Sequence, residues 1–305
     1  MQMPYIYTLQ NYPMVQYNPK VWVSVIFHSY SRQVMHTLRP ALIFLLIFSS
    51  LVCVLFLDIL QWTEEDFHST IAMHQLLGIV LGLFLVFRVN SAYDRWWEGR
   101  KLWGSLVNNT RNLSFKINSF FPEDDSETRV WFSRMISAIP ASLRDHLRDR
   151  KRPDVLDLPA EVHSRTEKSK HLPNLISSAL YDKVHTLVSS GKFTPDQFWL
   201  LDRELKEFSD IIGACERIKN TPIPYSYAMY IKKFIFIYLI TLPFGLVITE
   251  GYMTIPMVLL LAFVLLSVEL IAEEIEDPFG TDSNDLPTDE ISIKIKDWVR
   301  EIILR

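Results

Sequence analysis

The chain has 305 residues, a formal net charge of −4 and a mean hydropathy of +0.12 despite 22% charged residues. Its acidic balance gives no footing for a nucleic-acid partner, and two cysteines, Cys53 in an apolar run and Cys215 in a charged one, read as free thiols rather than a disulfide framework. A hydropathy this high in so charged a chain implies that apolar and charged residues are segregated along it.

Residues 1–39 are mixed and aromatic, with Lys20, Arg32 and Arg39, and read as an interfacial arm; the opening MQMPYIYTLQ has no basic stretch ahead of an apolar core, so no cleavable signal is expected. The apolar run at 40–60 is long enough for one membrane span, QWTEEDFHST at 61–70 is a short acidic loop, and 71–87 is a second span. A charged, mostly helical region follows, with breaks at 121–127, 149–159 and 190–196. Within it, Met135, Ile136, Ile139 and Leu143 share one helical face, and Phe198, Leu201, Leu205, Phe208, Ile212 and Cys215 share another, as in a packed bundle. Thr194 is the expected N-cap of the second helix, with Pro195 in its first position. Pro222 and Pro224 break TPIPY, a third span lies near 233–249 with a kink at Pro243, TEGYMTIP turns the chain, and a fourth span runs from about Ile255 to Ala272.

All 31 Lys and Arg lie in 1–39, 88–233 and 294–305, and none in 40–87 or 234–293. The outer loops hold Glu64, Glu65, Asp66 and Glu250 and no basic residue. Basic residues concentrate on the cytoplasmic side, so the large charged region and both termini are expected in the cytoplasm of a multi-pass inner-membrane protein. The expected fold is an all-α membrane protein with four transmembrane helices and a helical cytosolic domain. Its divisions are an arm at 1–39, spans one and two at 40–90, a cytosolic domain at 91–232, spans three and four at 233–272, and a cytosolic segment at 273–305. No phosphate loop, HExxH or Cys/His metal spacing points to an enzyme or a resident cofactor.

The second span does not stop where its apolar run does: LLGIVLGLFLVFRVNSAYDRWW, 76–97, stays helical in pattern into Arg88, Asn90, Asp94 and Arg95. Ile79, Leu83 and Phe87 form one ridge, and Gly78 and Gly82 a neighbouring small-xxx-small ridge suited to close helix contact. In a lone four-helix protein the apolar ridge is core; in a ring of subunits it lines an axial hole and makes an apolar constriction. Trp96, Trp97 and Trp103 are interleaved with the charges from Arg88 onward, and a membrane interface accounts for one or two of them. Glu273, Glu274, Glu276 and Asp277 crowd the end of the fourth span, where they oppose the helix dipole; Arg88, Arg95 and Arg100 are the expected partners. Glu269, deeper in the span, is expected to face protein, and His74 to be hydrogen-bonded.

FRVNSAYDRWWEGRKLWG at 87–104, GACERIKNTPIPYSY at 213–227 and AEEIEDPFGTDSNDLP at 272–287 resemble the bestrophin family, in its bacterial and plant-type branch, over about residues 20 to 290. The resemblance implies a homopentameric ion channel with one axial pore. Its neck would be Ile79, Leu83 and Phe87, followed by a cytosolic vestibule and a second constriction, the aperture. It implies anion conduction, chloride above all, although some bacterial relatives conduct cations; a scaffold without conduction is the alternative from another class. At the aperture, where the family is apolar, this chain aligns Asp196, which reads equally as an exposed first-turn residue of its helix. Animal members hold Ca²⁺ in an acidic cluster after the fourth span. Here the matching run keeps only Asp282 and Asp285, which are either Ca²⁺ ligands helped by carbonyls or turn and cap residues.

Overall fold

The computed structural model describes residues 29–63, 71–121 and 125–305, and among these there is no strand. The helices are α1 (Ser29–Cys53), α2 (Ile71–Phe120), α3 (Ser126–Leu147), α4 (Ala160–Thr166), α5 (Leu172–Ser189), α6 (Pro195–Asn220), α7 (Tyr225–Glu250), α8 (Thr254–Glu276) and α9 (Thr288–Ile303). The chain divides into two compact units, with boundaries at Arg95, at Pro222 and at Glu276. Most of the expected arm, and the outer acids Glu64, Glu65 and Asp66, lie outside the described residues.

One unit holds α1, the start of α2, α7 and α8. α1 begins ahead of the apolar run, with Pro40 inside it, and widens at its end into a π-helical turn, Val54–Ile59. Three stretches are long and apolar enough to cross a membrane, Val34–Ile59, Ile71–Phe120 and Tyr225–Glu276. The last is two spans. Gly251, with φ of 56° in a region open to glycine, reverses the chain, and α7 and α8 pack against each other. Four helices therefore have the length and composition of spans. Their core joins Leu45, Leu81, Leu85, Ile235, Tyr238, Leu239, Val258 and Ala262. His74 Nε2 lies 3.1 Å from Thr241 Oγ1, so this buried imidazole is satisfied inside the unit.

The other unit holds the rest of α2 with α3 to α6 and α9. The two expected stripes form its core: Met135, Ile136, Ile139 and Leu143 of α3, and Leu201, Leu205, Phe208, Ile212 and Cys215 of α6, with Trp103 and Leu106 of α2. α6 begins as its residues dictate. The Thr194 side chain accepts from the Gln197 N–H, the Gln197 side chain accepts from the Thr194 N–H, and Pro195 needs no partner in the first turn.

Candidate functional site

An α-helix turns 100° per residue, so the two sides of α2 can be read from its exposure. Leu81, Leu85, Arg88 and Ala92, spaced by four and three, are all buried. Ile79, Leu83 and Phe87 are 72, 55 and 53% exposed and have no place in the core of the chain. Of the expected glycine pair, Gly78 faces the Tyr238 ring: a Cβ there would lie 3.1 Å from its hydroxyl. At Gly82 a Cβ would meet nothing within 4 Å. The close backbone approach expected at these glycines is not made inside the chain.

The buried side of α2 is fixed by charge. Arg88 is only 1% exposed; its Nη2 lies 2.7 Å from Glu276 Oε2 and its Nε 3.5 Å from Glu269 Oε1 of α8. The second contact is ionic without a hydrogen bond, and both Glu269 carboxylate oxygens are buried without a hydrogen-bond partner. Glu276 is used three times: its Oε1 accepts the Ile223 N–H at 2.8 Å and its carbonyl accepts Arg95 Nε at 3.0 Å. The Ile223 bond explains why the TPIPY link can leave helical geometry without orphaning that N–H. Two of the expected arginines, Arg88 and Arg95, thus do meet the acidic end of α8. Glu273 instead takes Lys232 at 2.9 Å, and Asp277 takes Lys219 at 2.9 Å; neither lysine was foreseen, and Arg100 is exposed.

Asp196 stands exposed in the first turn of α6, two residues beyond its cap and beside exposed Trp199 and Leu200. A carboxylate there favours the helix dipole. Within one chain nothing else touches on its role.

The Asp282–Asp285 segment is a turn. Asp285 Oδ2 accepts the Asp282 N–H at 2.6 Å, and the Leu286 N–H reaches the Pro278 carbonyl at 2.9 Å. Gly280 leaves room for that bond: a Cβ there would lie 2.6 Å from the same Asp285 oxygen and would push the carboxylate aside. Asp285 Oδ1 and Asp277 Oδ1 are buried without hydrogen bonds, but this turn does not bring three acidic or imidazole ligand atoms within 4.8 Å. A hard cation wants six or more oxygens, so the two aspartates supply at most part of a Ca²⁺ shell and no step is assigned to one. Burial pushes the Asp285 carboxyl up to about 7, against the lowering effect of the Asp282 N–H. The folded chain therefore keeps a proton that the unfolded chain releases near pH 4, and stability falls as pH rises from about 4 to about 7. Asp285→Asn should flatten that slope. Thermal midpoints at about pH 5 and about pH 8 should separate in the wild type and converge in the variant; an unchanged separation refutes the assignment.

The sequence model of the family described as Bacterial/Fungal Bestrophin protein matches residues 14–301. A voltage-dependent anion channel-forming protein of Ralstonia nicotianae is 35% identical over 246 residues, 80% of each chain. One of a Nostoc species is 38% identical over 224 residues, 72% of this chain and 73% of that one. The crystal structure of a variant of a bacterial bestrophin homolog from Klebsiella pneumoniae superposes with a TM-score of 0.81 at 29% identity, covering 88% of this chain and all of that one. The match spans both units, the long α2 and the acidic end of α8, and the chain belongs to the bestrophin family, in its bacterial and fungal branch.

Proposed function

We propose that five copies of this chain assemble in the inner membrane round one axial pore that conducts anions, with Ile79, Leu83 and Phe87 of each copy forming an apolar neck. The observation that carries the reading is the division of α2. One side is locked by a buried ion pair, and the other presents a regular apolar ridge that is more than half exposed and that none of the described residues buries. Such a ridge is either lipid-facing or turned toward copies of itself, and a ring of ridges forms a constriction that gates by dewetting. Relatives that bear the name of anion channel-forming proteins support the sign of the permeant ion. The orientation proposed from the charge distribution puts both termini and the charged unit in the cytoplasm.

The deciding experiment is planar-bilayer recording of the purified protein in asymmetric NaCl. Anion conduction predicts a reversal potential displaced toward the chloride equilibrium value. Displacement toward sodium makes it a cation-conducting bestrophin, and absence of current makes it a scaffold. The mass in detergent should be near five times the 35.7 kDa chain, and a stable monomer rules out a shared pore.

The cation reading rests on Asp196, exposed as it is in its first turn. If a ring of these carboxylates lines the aperture, Asp196→Arg raises anion over cation permeability several-fold, more at low salt, because screening acts over about 8 Å at physiological ionic strength. Identical reversal potentials for wild type and variant take this residue out of the pore.

Gly82 tests the contact between copies. Since a Cβ at Gly82 would meet none of the described residues within 4 Å, Gly82→Leu should disturb the monomer fold little and lower the assembled fraction if a neighbouring helix packs there. Gly78→Ala, pressed on Tyr238, should cost about 1 kcal/mol within the chain. Full assembly of Gly82→Leu removes Gly82 from any subunit interface.

A further inference from the structure

Three side chains far apart in sequence converge in the unit built of α3, α5 and α6. His146 lies in the last turn of α3, His171 is the N-cap of α5, and Glu216 stands near the end of α6. His146 Nε2 is 2.8 Å from Glu216 Oε1, and His171 Nε2 makes a short hydrogen bond to the same oxygen. The two imidazole rings are 4.1 Å apart between centroids. All three side chains are about 30% exposed, so the cluster is open to solvent on one side. Among the described residues Glu216 forms no ion pair with lysine or arginine, and its only ion-pair partners are these imidazoles.

We propose that His146, His171 and Glu216 bind one zinc-class divalent cation that staples three helix ends together. Two imidazole nitrogens and a carboxylate oxygen form a donor set that suits zinc and its neighbours, while calcium and magnesium prefer oxygen alone. Three protein ligands leave a fourth position, and the exposed side of the cluster gives water access to it. Ligand atoms about 2.1 Å from a tetrahedral ion stand about 3.4 Å from one another, so His146 must draw back from Glu216 by roughly 0.6 Å and His171 by about 1 Å. Each is carried at a helix end, where such a shift is easily accommodated. The carboxylate, half-buried without a basic partner, gains the positive charge it lacks.

The proton arrangement changes on binding. His171 Nδ1 accepts the Asn174 N–H at 3.1 Å, so in the metal-free chain its proton sits on Nε2. Coordination at Nε2 moves that proton to Nδ1 through solvent and gives up the cap on α5; a neutral ring releases no net proton. His146 exchanges its Nε2–H bond to Glu216 for the metal in the same way. The staple therefore replaces one local cap with a bond that joins three elements.

The test uses the metal-stripped full-length chain in detergent, titrated with Co²⁺ and followed by the visible absorption of a tetrahedral site. One Co²⁺ per chain is expected, displaced by Zn²⁺ and not by Ca²⁺, and Zn²⁺ raises the unfolding temperature. Glu216→Gln and His171→Asn should each weaken binding about tenfold or more. His171→Asn is the informative variant, because asparagine keeps an N-cap acceptor on α5 and so keeps the fold. Loss of Zn²⁺ stabilisation in that variant supports the site. Absence of stoichiometric binding in the wild type, or equal binding by wild type and both variants, overturns it and leaves the triad a hydrogen-bonded clamp.

Discussion

Replacing Ile79, Leu83 and Phe87 together by alanine should raise unitary conductance several-fold. An apolar constriction resists ions because water does not remain in it when the walls are close, and the ion cannot shed its hydration against side chains with no polar atoms. Alanine removes most of each side chain, and in the proposed ring the removal would act once per subunit, so the bore would widen from every side at three successive helical turns. The chain should tolerate the change. The three side chains are 53 to 72% exposed in the fold and lie outside its hydrophobic clusters, so truncation does not open a cavity of the kind that costs 2 to 5 kcal/mol in a core. That separation makes the result readable: a gain of current in a protein of unchanged unfolding temperature and unchanged mass locates the constriction. If the ridge faces lipid, the triple variant conducts as the wild type does, and the neck must be sought elsewhere.

How far the sequence carried differed between the units, for physical reasons. The four spans, the helical charged region, the Thr194 cap and the core stripes of α3 and α6 were legible because each rests on period or on local chemistry. The tie between Arg88 and the acidic end of α8 was legible too, since a basic residue at a span's edge and a crowded acidic helix end each lack something the other supplies. The lysines that took Glu273 and Asp277 were not, because which of several cations reaches an acid depends on packing. The apolar run at 40–60 did not mark where α1 begins, since its first turns lie ahead of Pro40 in polar sequence. The His146, His171 and Glu216 triad is the clearest case of what spacing cannot show. Its members lie on three helices and match no short motif; only the packing of α3, α5 and α6 brings them together.

The second large effect is expected at Arg88, where substitution by methionine should destabilise the fold by about 3 to 5 kcal/mol, the range for removing one partner of a buried ion pair. The size follows from what is left behind. Glu269 is 5% exposed with neither carboxylate oxygen hydrogen-bonded, and Glu276 loses the contact at 2.7 Å while still holding the Ile223 N–H. Two acids then remain close together, at least one of them deeply buried, with no cation between them. Methionine matches much of the apolar stem of arginine, so lost packing contributes little and the cost is mainly electrostatic. Arg88→Lys should fall between, because an ammonium supplies charge but cannot reach both carboxylates with a planar fork. The decisive comparison is the double variant Arg88→Met with Glu269→Gln, which removes the worst-placed charge along with its partner. It should recover at least half of the loss, as a coupled pair does and independent sites do not. The ion pair also fixes which side of α2 turns inward. Under the proposed pore, Arg88→Met that still assembles should therefore show unstable open levels rather than a uniform rise in conductance. Additive losses in the double variant, measured by thermal unfolding in detergent, would mean that Arg88 acts through contacts other than Glu269.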